Sequence, residues 1–513
     1  MNNLPNEVFT SNQVKLIERD HANNHNGHCF DLMQSAGQAV FDYIVQNRPE
    51  TREIFIFCGK GNNGGDGYIV ANLMLQHNIN HRVFATGVPH EGSEASIAYE
   101  YYLKQGGKVE YELPNSGSMQ SSGIISYTLP DVVVDALLGT GIESAPAGTT
   151  AKWIGYINRL KAFTVAVDVP SGLVSDTGNV PGLCVDADVT VCMLALKPGL
   201  FTSYGVDFVG KVVFAPLGID SRSYHSLLQE SSYCPLPIDL IGYEDVRFLL
   251  TRRLPSCNKS DNGKVLIISG SKGMGGAAII CGSGALRTGS GLVKVATDEN
   301  NVCPMLCVRP ELMSVDLSDP AELNKAIVWA DAVAAGPGLG VNDDTAFIVN
   351  TLDNLKETPV VLDADALTVL SHFEEGFYND NRILTPHPGE ASRLLHVPVE
   401  DINSNRLISC YKLQQRYGGV ILLKGAGTVI CDGQRIAIIK EGSPALATGG
   451  SGDLLTGIIV SLLGQGLSLY DAAVTGACIH GRAGFLSGED GGITGSLPSD
   501  VLKYVRVLVN ANS

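Results

Sequence analysis

The sequence predicts an α/β protein built as two units, the first an open, doubly wound parallel sheet. Three observations carry this. Short apolar runs bounded by Gly, Pro and Asp alternate with helical stretches, the punctuation of βαβ units whose strands are buried on both faces. That rhythm fades between 221 and 255 into the turn-rich Ser231-Ser232-Tyr233-Cys234-Pro235-Leu236-Pro237 and then restarts. And 513 residues exceed one core, since domains hold roughly 100–200 residues each. The boundary is set at 225/226, giving domains 1–225 and 226–513.

In chain order, Leu32, Ala36, Val40 and Ile44 fall at helical spacing over 31–45, with Asp31 placed to cap that helix. Ile54-Phe55-Ile56-Phe57 reads as a strand running into a glycine loop, followed by a helix over 68–75 and a strand over 82–85. Further strands are expected at 132–134, 163–167, 189–195 and 212–214, and in the second half at 265–268, 292–296, 332–335, 360–362, 383–384 and 420–423. The most apolar stretch, 454–470, is broken by three glycines and flanked by Asp453 and Asp471, too interrupted for a membrane span. The N-terminus lacks a basic and an apolar leader segment, so no signal peptide is expected.

Composition narrows the partners. With 36 basic and 53 acidic residues the net charge is −17, and no basic stripe exists for a nucleic acid backbone. A small phosphorylated ligand is allowed if local backbone N–H groups hold it, and 58 glycines make such loops plausible. Twelve dispersed cysteines without a C-x-x-C pair read as buried free thiols, which suits a reducing cytoplasm.

Five glycines, two asparagines and an aspartate fill the ten residues Cys58-Gly59-Lys60-Gly61-Asn62-Asn63-Gly64-Gly65-Asp66-Gly67. A plain tight turn needs one or two glycines, so this loop reads as a place where backbone amides approach phosphate oxygens. It is not a Walker A loop. Asp135 precedes Leu137-Leu138-Gly139-Thr140-Gly141, and Asp168 precedes Val169-Pro170-Ser171-Gly172. Either aspartate alone could be a loop cap. At strand ends that converge on one crevice, Asn63, Asp135, Asp168 and Ser171 form a candidate site.

In the second half, Ala447-Thr448-Gly449-Gly450-Ser451-Gly452-Asp453 precedes an apolar helix. Glycines that free consecutive N–H groups, an aspartate and a positive helix end together deprotonate a hydroxyl and stabilise phosphoryl charge. This resembles the arrangement of ribokinase-type kinases, in which Asp453 would be the base and Gly450, Ser451 and Gly452 the anion hole. Lys424-Gly425-Ala426-Gly427-Thr428 could cradle nucleotide phosphates, although alone it is a common strand-turn-strand. His387, fixed between two prolines, is a candidate binding side chain.

The motifs of the first half resemble the NAD(P)H-hydrate epimerase family over roughly 10–220, which implies a Rossmann-like fold. By that likeness Asn62, Asn63, Gly64, Gly65 and Asp66, with Gly139, Thr140, Gly141, Ile142, Glu143, Ser144 and Ala145, hold the hydrated dinucleotide. Asp168 meets its reacting end, and Asn63, Asp135 and Ser171 match positions that bind a potassium ion. Hard oxygen ligands suit that cation. In the second half, Gly270-Ser271-Lys272-Gly273-Met274-Gly275-Gly276-Ala277-Ala278, Gly336-Pro337-Gly338-Leu339-Gly340, Asp363-Ala364-Asp365-Ala366-Leu367 and the three motifs above resemble the ADP- or ATP-dependent NAD(P)H-hydrate dehydratases over about 240–508. This implies a ribokinase-like α/β domain. Ala277, Gly338, His387 and Asp453 would contact the hydrate, and Lys424, Gly425, Ala426, Gly427, Thr428 and Gly452 the adenine nucleotide.

The resemblance implies metabolite repair. Water added to the nicotinamide ring leaves a hydroxyl at C6; the first domain would interconvert the R and S hydrates, and the second would dehydrate the S form at the expense of ADP or ATP. Mg2+ is implied with the nucleotide, self-association by family likeness, and no membrane or nucleic acid partner. The other reading is a ribokinase-type small-molecule kinase fused to a Rossmann-like regulatory domain.

Overall fold

The computed structural model describes residues 4–25, 27–114, 129–220, 236–373 and 377–510; the boundary expected at 225/226 lies outside them. The chain divides into two compact units, Met1–Pro235 and Leu236–Ser513.

In the first unit β1 (Glu7–Val8) precedes a seven-stranded parallel sheet of β2 (Ile54–Cys58), β3 (His81–Ala85), β4 (Val109–Glu110), β5 (Val132–Ala136), β6 (Phe163–Val167), β7 (Val189–Met193) and β8 (Lys211–Ala215), ordered β4-β3-β2-β5-β6-β7-β8. Successive side chains of β2 enter opposite cores: Ile54 and Ile56 pack with Tyr68 and Met74, Phe55 and Phe57 with Trp153 and Ile154. That is why the strand is apolar throughout rather than alternating. The expected strands are present, although β7 stops short of 195, where Leu194 turns to φ 63°.

Two expectations need correction. The helix Phe30–Asn47 takes Cys29, not Asp31, as its N-cap; Asp31 sits in the first turn and pairs with His21 Nε2 at 2.8 Å. The helix expected over 68–75 begins at Asn62, so most of the glycine-rich segment is helical rather than loop. Glycine there serves close packing. A Cβ at Gly67 would lie 2.8 Å from both Cys58 Sγ and Ala136 Cβ, and one at Gly64 would collide with the Gly59 carbonyl.

The second unit contains β9 (Ile238–Ile241), β10 (Lys264–Ile268), β11 (Leu292–Thr297), β12 (Met313–Asp316), β13 (Ala332–Ala335), β14 (Val360–Leu362), β15 (Arg382–Leu384), β16 (Val420–Leu423), β17 (Val429–Cys431) and β18 (Ile436–Ile439). They run β9-β18-β17-β16-β15-β14-β13-β10-β11-β12, with antiparallel pairs only at β16–β17 and β17–β18 among the described residues. In both units strand order reverses beside the first long strand, between β2 and β5 and between β10 and β13. Crevices at the carboxyl ends of strands open at such points.

The apolar helix Ser451–Gly464 is buried along nearly its whole length and lies against Gly275–Thr288. Their approach depends on glycine: a Cβ at Gly457 would collide with the Cys281 carbonyl, and one at Gly284 would sit 2.9 Å from the Leu454 carbonyl oxygen. Among the described residues no helix is long and apolar enough to cross a membrane. The cysteines among them are free, but not all are buried: Cys303 and Cys307 are exposed, and Cys29 and Cys257 are half-buried.

Candidate active sites

In the first unit, β2 and β5 run in register, Phe57 opposite Asp135, so the turn at Gly59 and the loop after Ala136 leave the sheet side by side. Asp135 is fully buried and accepts from the Ser171 N–H (2.8 Å), the Ser171 hydroxyl (2.6 Å) and the Leu137 N–H (3.2 Å). Burial pushes its carboxyl up to about 6, against those hydrogen bonds, which pull it down. Asn63 donates Nδ2–H to the Leu138 carbonyl at 2.8 Å, and its Oδ1 is buried with no hydrogen-bond partner among the described residues. Leu138 also donates its N–H to the Ser171 hydroxyl (2.8 Å), so Asn63, Ser171 and Asp135 gather at one loop, and an oxygen orphaned there suits a hard monovalent cation. Gly139 approaches Asn63, a Cβ there lying 3.3 Å from Asn63 Cβ, and Thr140 to Ala145 continue as a partly exposed rim. Gly61 caps the helix Asn62–Gln76 without a side chain, leaving the first-turn amides at Asn62, Asn63 and Gly64 without intrahelical acceptors.

Asp168, at the end of β6, adopts φ 66°, and its Oδ1 accepts the ammonium of Lys197 and the Met193 N–H (3.0 Å). Lys197 is fully buried and also donates to the Met193 carbonyl at 2.8 Å. Burial opposes its charge, but Asp168 outweighs that and raises the ammonium above its usual value. Asp66 faces the same pair. Burial first, then the carboxylates of Asp168 and Glu18, push its carboxyl well above the usual carboxylate range. Glu18 and Glu94, on the helices Ser11–Asn24 and Glu94–Lys104, add negative charge near Asp66. Asp168 and Asp66 were legible; Lys197, Glu18 and Glu94 were not, because single charged residues outside a glycine motif carry no periodic signal.

In the second unit the strands β10, β13, β14 and β15 end together, Ile268 opposite Ala335, Ala335 opposite Leu362 and Leu362 opposite Leu384. Their loops therefore share one crevice. The Gly270 N–H donates to the Pro337 carbonyl (3.0 Å) and that of Ser271 to the Gly338 carbonyl (2.7 Å), tying the two glycine loops together. Gly338, at φ 61°, lies against Ala277, a Cβ there falling 3.2 Å from Ala277 Cβ. Lys424, following β16, places Nζ 2.6 Å from Asp363 Oδ1 and 3.9 Å from Glu390 Oε2. Asp363 is buried and also accepts from Thr456 (2.8 Å). Burial would raise its carboxyl, but Lys424 holds it below the usual range. Gly452 leaves the space over this pair open, a Cβ there lying 3.3 Å from Lys424 Nζ and 3.7 Å from Asp363 Oδ2.

Asp453 stands in the first turn of Ser451–Gly464, and burial, reinforced by Asp363, pushes its carboxyl up to about 6. That suits a general base near neutrality. Gly450 reverses the chain at φ 87°. The Ser451 N–H makes a long bond to the Thr448 carbonyl (3.3 Å), while those of Gly452 and Asp453 have no intrahelical acceptor. The Ser451 hydroxyl is 3.2 Å from Nε2 of buried His480, which burial and then Lys424 push down to about 4, so this histidine is neutral. His387 caps the helix Pro388–Leu395 through Nδ1, which accepts from the Gly389 N–H (2.9 Å) and the Glu390 N–H (3.3 Å). Burial, then Lys424, lowers its basicity, leaving a neutral ring half-exposed beside Glu390. Gly425 to Thr428 form the turn of the β16–β17 hairpin, with Gly425 at φ 142° close to the Arg406 guanidinium.

Comparison with known proteins agrees with both halves. Residues 29–199 match the family described as YjeF-related protein N-terminus, and residues 265–506 the family described as NAD(P)H-hydrate dehydratase. The bifunctional NAD(P)H-hydrate repair enzyme Nnr of Escherichia coli K12 is 38% identical over 509 residues, covering 99% of this chain and 95% of that protein. The enzyme of the same name from Vibrio cholerae is 40% identical over 512 residues, covering 99% of each. A ribokinase-like superfamily protein of Enterococcus faecalis V583, 28% identical, covers 53% of this chain and 95% of its own with a TM-score of 0.49. The chain belongs to the family of bifunctional NAD(P)H-hydrate repair enzymes, which its full-length relatives define.

Proposed function

We propose that the first unit epimerises the R and S forms of NAD(P)H-hydrate and that the second dehydrates the S form to NAD(P)H, consuming ADP or ATP. The observation that carries this is the match of both halves, in order, to full-length repair enzymes. A kinase fused to a regulatory domain is not favoured, because those relatives span the whole chain.

In the second unit Asp453 takes the proton of the C6 hydroxyl, whose oxygen forms a bond to the terminal phosphorus. The bond from that phosphorus to the nucleotide breaks, releasing AMP from ADP or ADP from ATP. The amides of Gly450, Ser451 and Gly452 stabilise the charge on the transferring group; losing one such donor typically costs roughly 3 kcal/mol. The C6–O bond then breaks, phosphate departs with the electron pair, the ring nitrogen supplies electrons, and a proton leaves C5. Ala277, Gly338 and His387 hold the hydrate. Lys424 to Thr428 hold the nucleotide, with Lys424 kept protonated by Asp363 and Glu390 despite its burial. Mg2+ is expected with the nucleotide, whose phosphate charge it would neutralise when bound.

In the first unit Asp168 exchanges protons with the reacting end of the hydrate, with Lys197 holding its carboxylate and Asp66 as neighbouring acid. Asn63, Asp135 and Ser171 would hold K+, which supplies positive charge beside a dinucleotide. Amides at Asn62, Asn63 and Gly64 and the rim Gly139 to Ala145 take its phosphates and sugars. Self-association and a cytoplasmic location, which the free thiols suit, complete this reading.

The test incubates purified protein with R and S hydrates plus ADP or ATP and follows NADH absorbance. Recovery of both epimers, with inorganic phosphate and spent nucleotide, is expected; a phosphorylated product that accumulates without NADH would overturn the assignment.

A further inference from the structure

Apart from both crevices, His21, His25 and Asp31 form a cluster that neither reaction uses. His21 lies in the last turn of Ser11–Asn24, His25 is the C-cap one turn on, and Asp31 opens the helix Phe30–Asn47. The two imidazoles stack with centroids 4.0 Å apart and planes 17° from parallel. His21 Nε2 is 2.8 Å from Asp31 Oδ2, and one ligand atom from each of the three residues lies within 4.8 Å of the others. His25 Nδ1 is 2.8 Å from the His21 carbonyl oxygen. A carbonyl only accepts, so Nδ1 carries a proton, and in the neutral ring the lone pair is on Nε2. Metal-bound histidines are oriented in this way, by giving the other ring N–H to a carbonyl or carboxylate. His25 and Asp31 face solvent, so an ion has access.

We infer that His21, His25 and Asp31 form a surface site for Zn(II), which clamps the end of one helix to the start of the next. Two imidazoles and a carboxylate are donors this ion takes, with water completing its shell. Two ligands of a tetrahedral zinc stand roughly 3.3 Å apart, so the pair His21–Asp31 opens slightly as the ion displaces the proton between them, and the exposed His25 ring turns out of its stack on His21 so that both in-plane lone pairs meet the ion. The turn so clamped borders the first crevice. Glu18 lies one turn before His21, and Cys29, between the helices, donates its N–H to Glu94 Oε1 (2.5 Å) and its thiol to the Glu18 carbonyl (3.2 Å). Zinc therefore stiffens the wall that carries Glu18 and Glu94.

The experiment titrates ZnCl2 into the full-length protein by calorimetry, in a Cys303→Ser/Cys307→Ser background, because these exposed thiols are one helical turn apart and would take zinc themselves. One ion per chain and a rise in melting temperature are expected. His25→Ala and Asp31→Asn, both at exposed positions, should each weaken binding by at least about tenfold and remove the rise. Co(II) supplies a second readout, its visible absorption bands appearing in the parent and not in His25→Ala. Absence of saturable binding, or binding unchanged in both variants with circular dichroism showing them folded, overturns the site.

Discussion

Half-buried Asp453 and fully buried Asp135 both have carboxyls raised to about 6, and their surroundings give them different consequences. Asp453 must be ionised to accept a proton. Dehydration should therefore fall with unit slope below about pH 6 and level off above it, measured as kcat/KM for the S hydrate at saturating nucleotide; Asp453→Asn should abolish dehydration at every pH and leave epimerisation intact. For Asp135 the readout is stability. Its folded value exceeds the unfolded value of about 3.9, so protonation favours the fold fully below about pH 4, and that contribution is lost as pH rises through about 6. A cation selects the ionised form. The melting temperature should thus rise in KCl over tetramethylammonium chloride at about pH 7.5, and not at about pH 5; an equal rise at both, or one that survives Asp135→Ala, would remove K+ from this site.

At the scale of elements, the crossing of Gly275–Thr288 with Ser451–Gly464 sets where the anion hole stands. Glycine at 457 lets one helix rest on the carbonyl of Cys281, so Gly457→Ala must push the helices apart at a cost of about 1–3 kcal/mol or more. Because the hole opens at Gly450, two turns upstream on the displaced helix, dehydration should drop further than stability alone explains. Thermal denaturation and the NADH assay, run below the melting point of the variant, separate the two effects; unchanged activity would show that the crossing does not position the hole. The same elements mark how far the sequence could be read. Buried parallel strands were legible because both of their faces are apolar, and the glycine motifs because no other residue type fits them. The pair Lys424–Asp363 was not, since it joins residues 61 positions apart through a fold rather than a spacing. Neither was the contact of His480 with Ser451, 29 positions apart, nor the early start of the helix at Asn62, where glycines that look like a loop serve as packing surface.

For the whole molecule, two compact units with separate crevices imply that each reaction survives loss of the other. Asp168→Asn suits this test better than Asp168→Ala. Asparagine tolerates the φ of 66° at this position and offers Lys197 an oxygen, whereas alanine leaves a buried ammonium unpaired, a loss of about 3–5 kcal/mol in comparable pairs. Given an equal mixture of epimers with nucleotide, Asp168→Asn alone should recover the S fraction quickly and the R fraction only at the slow rate of spontaneous exchange. Asp453→Asn alone should recover nothing. Combined in one tube, the two variants should recover all of the NADH, because hydrate released by one chain is substrate for the other. A mixture that stalls once the S fraction is spent would mean that both sites must act within a single intact chain.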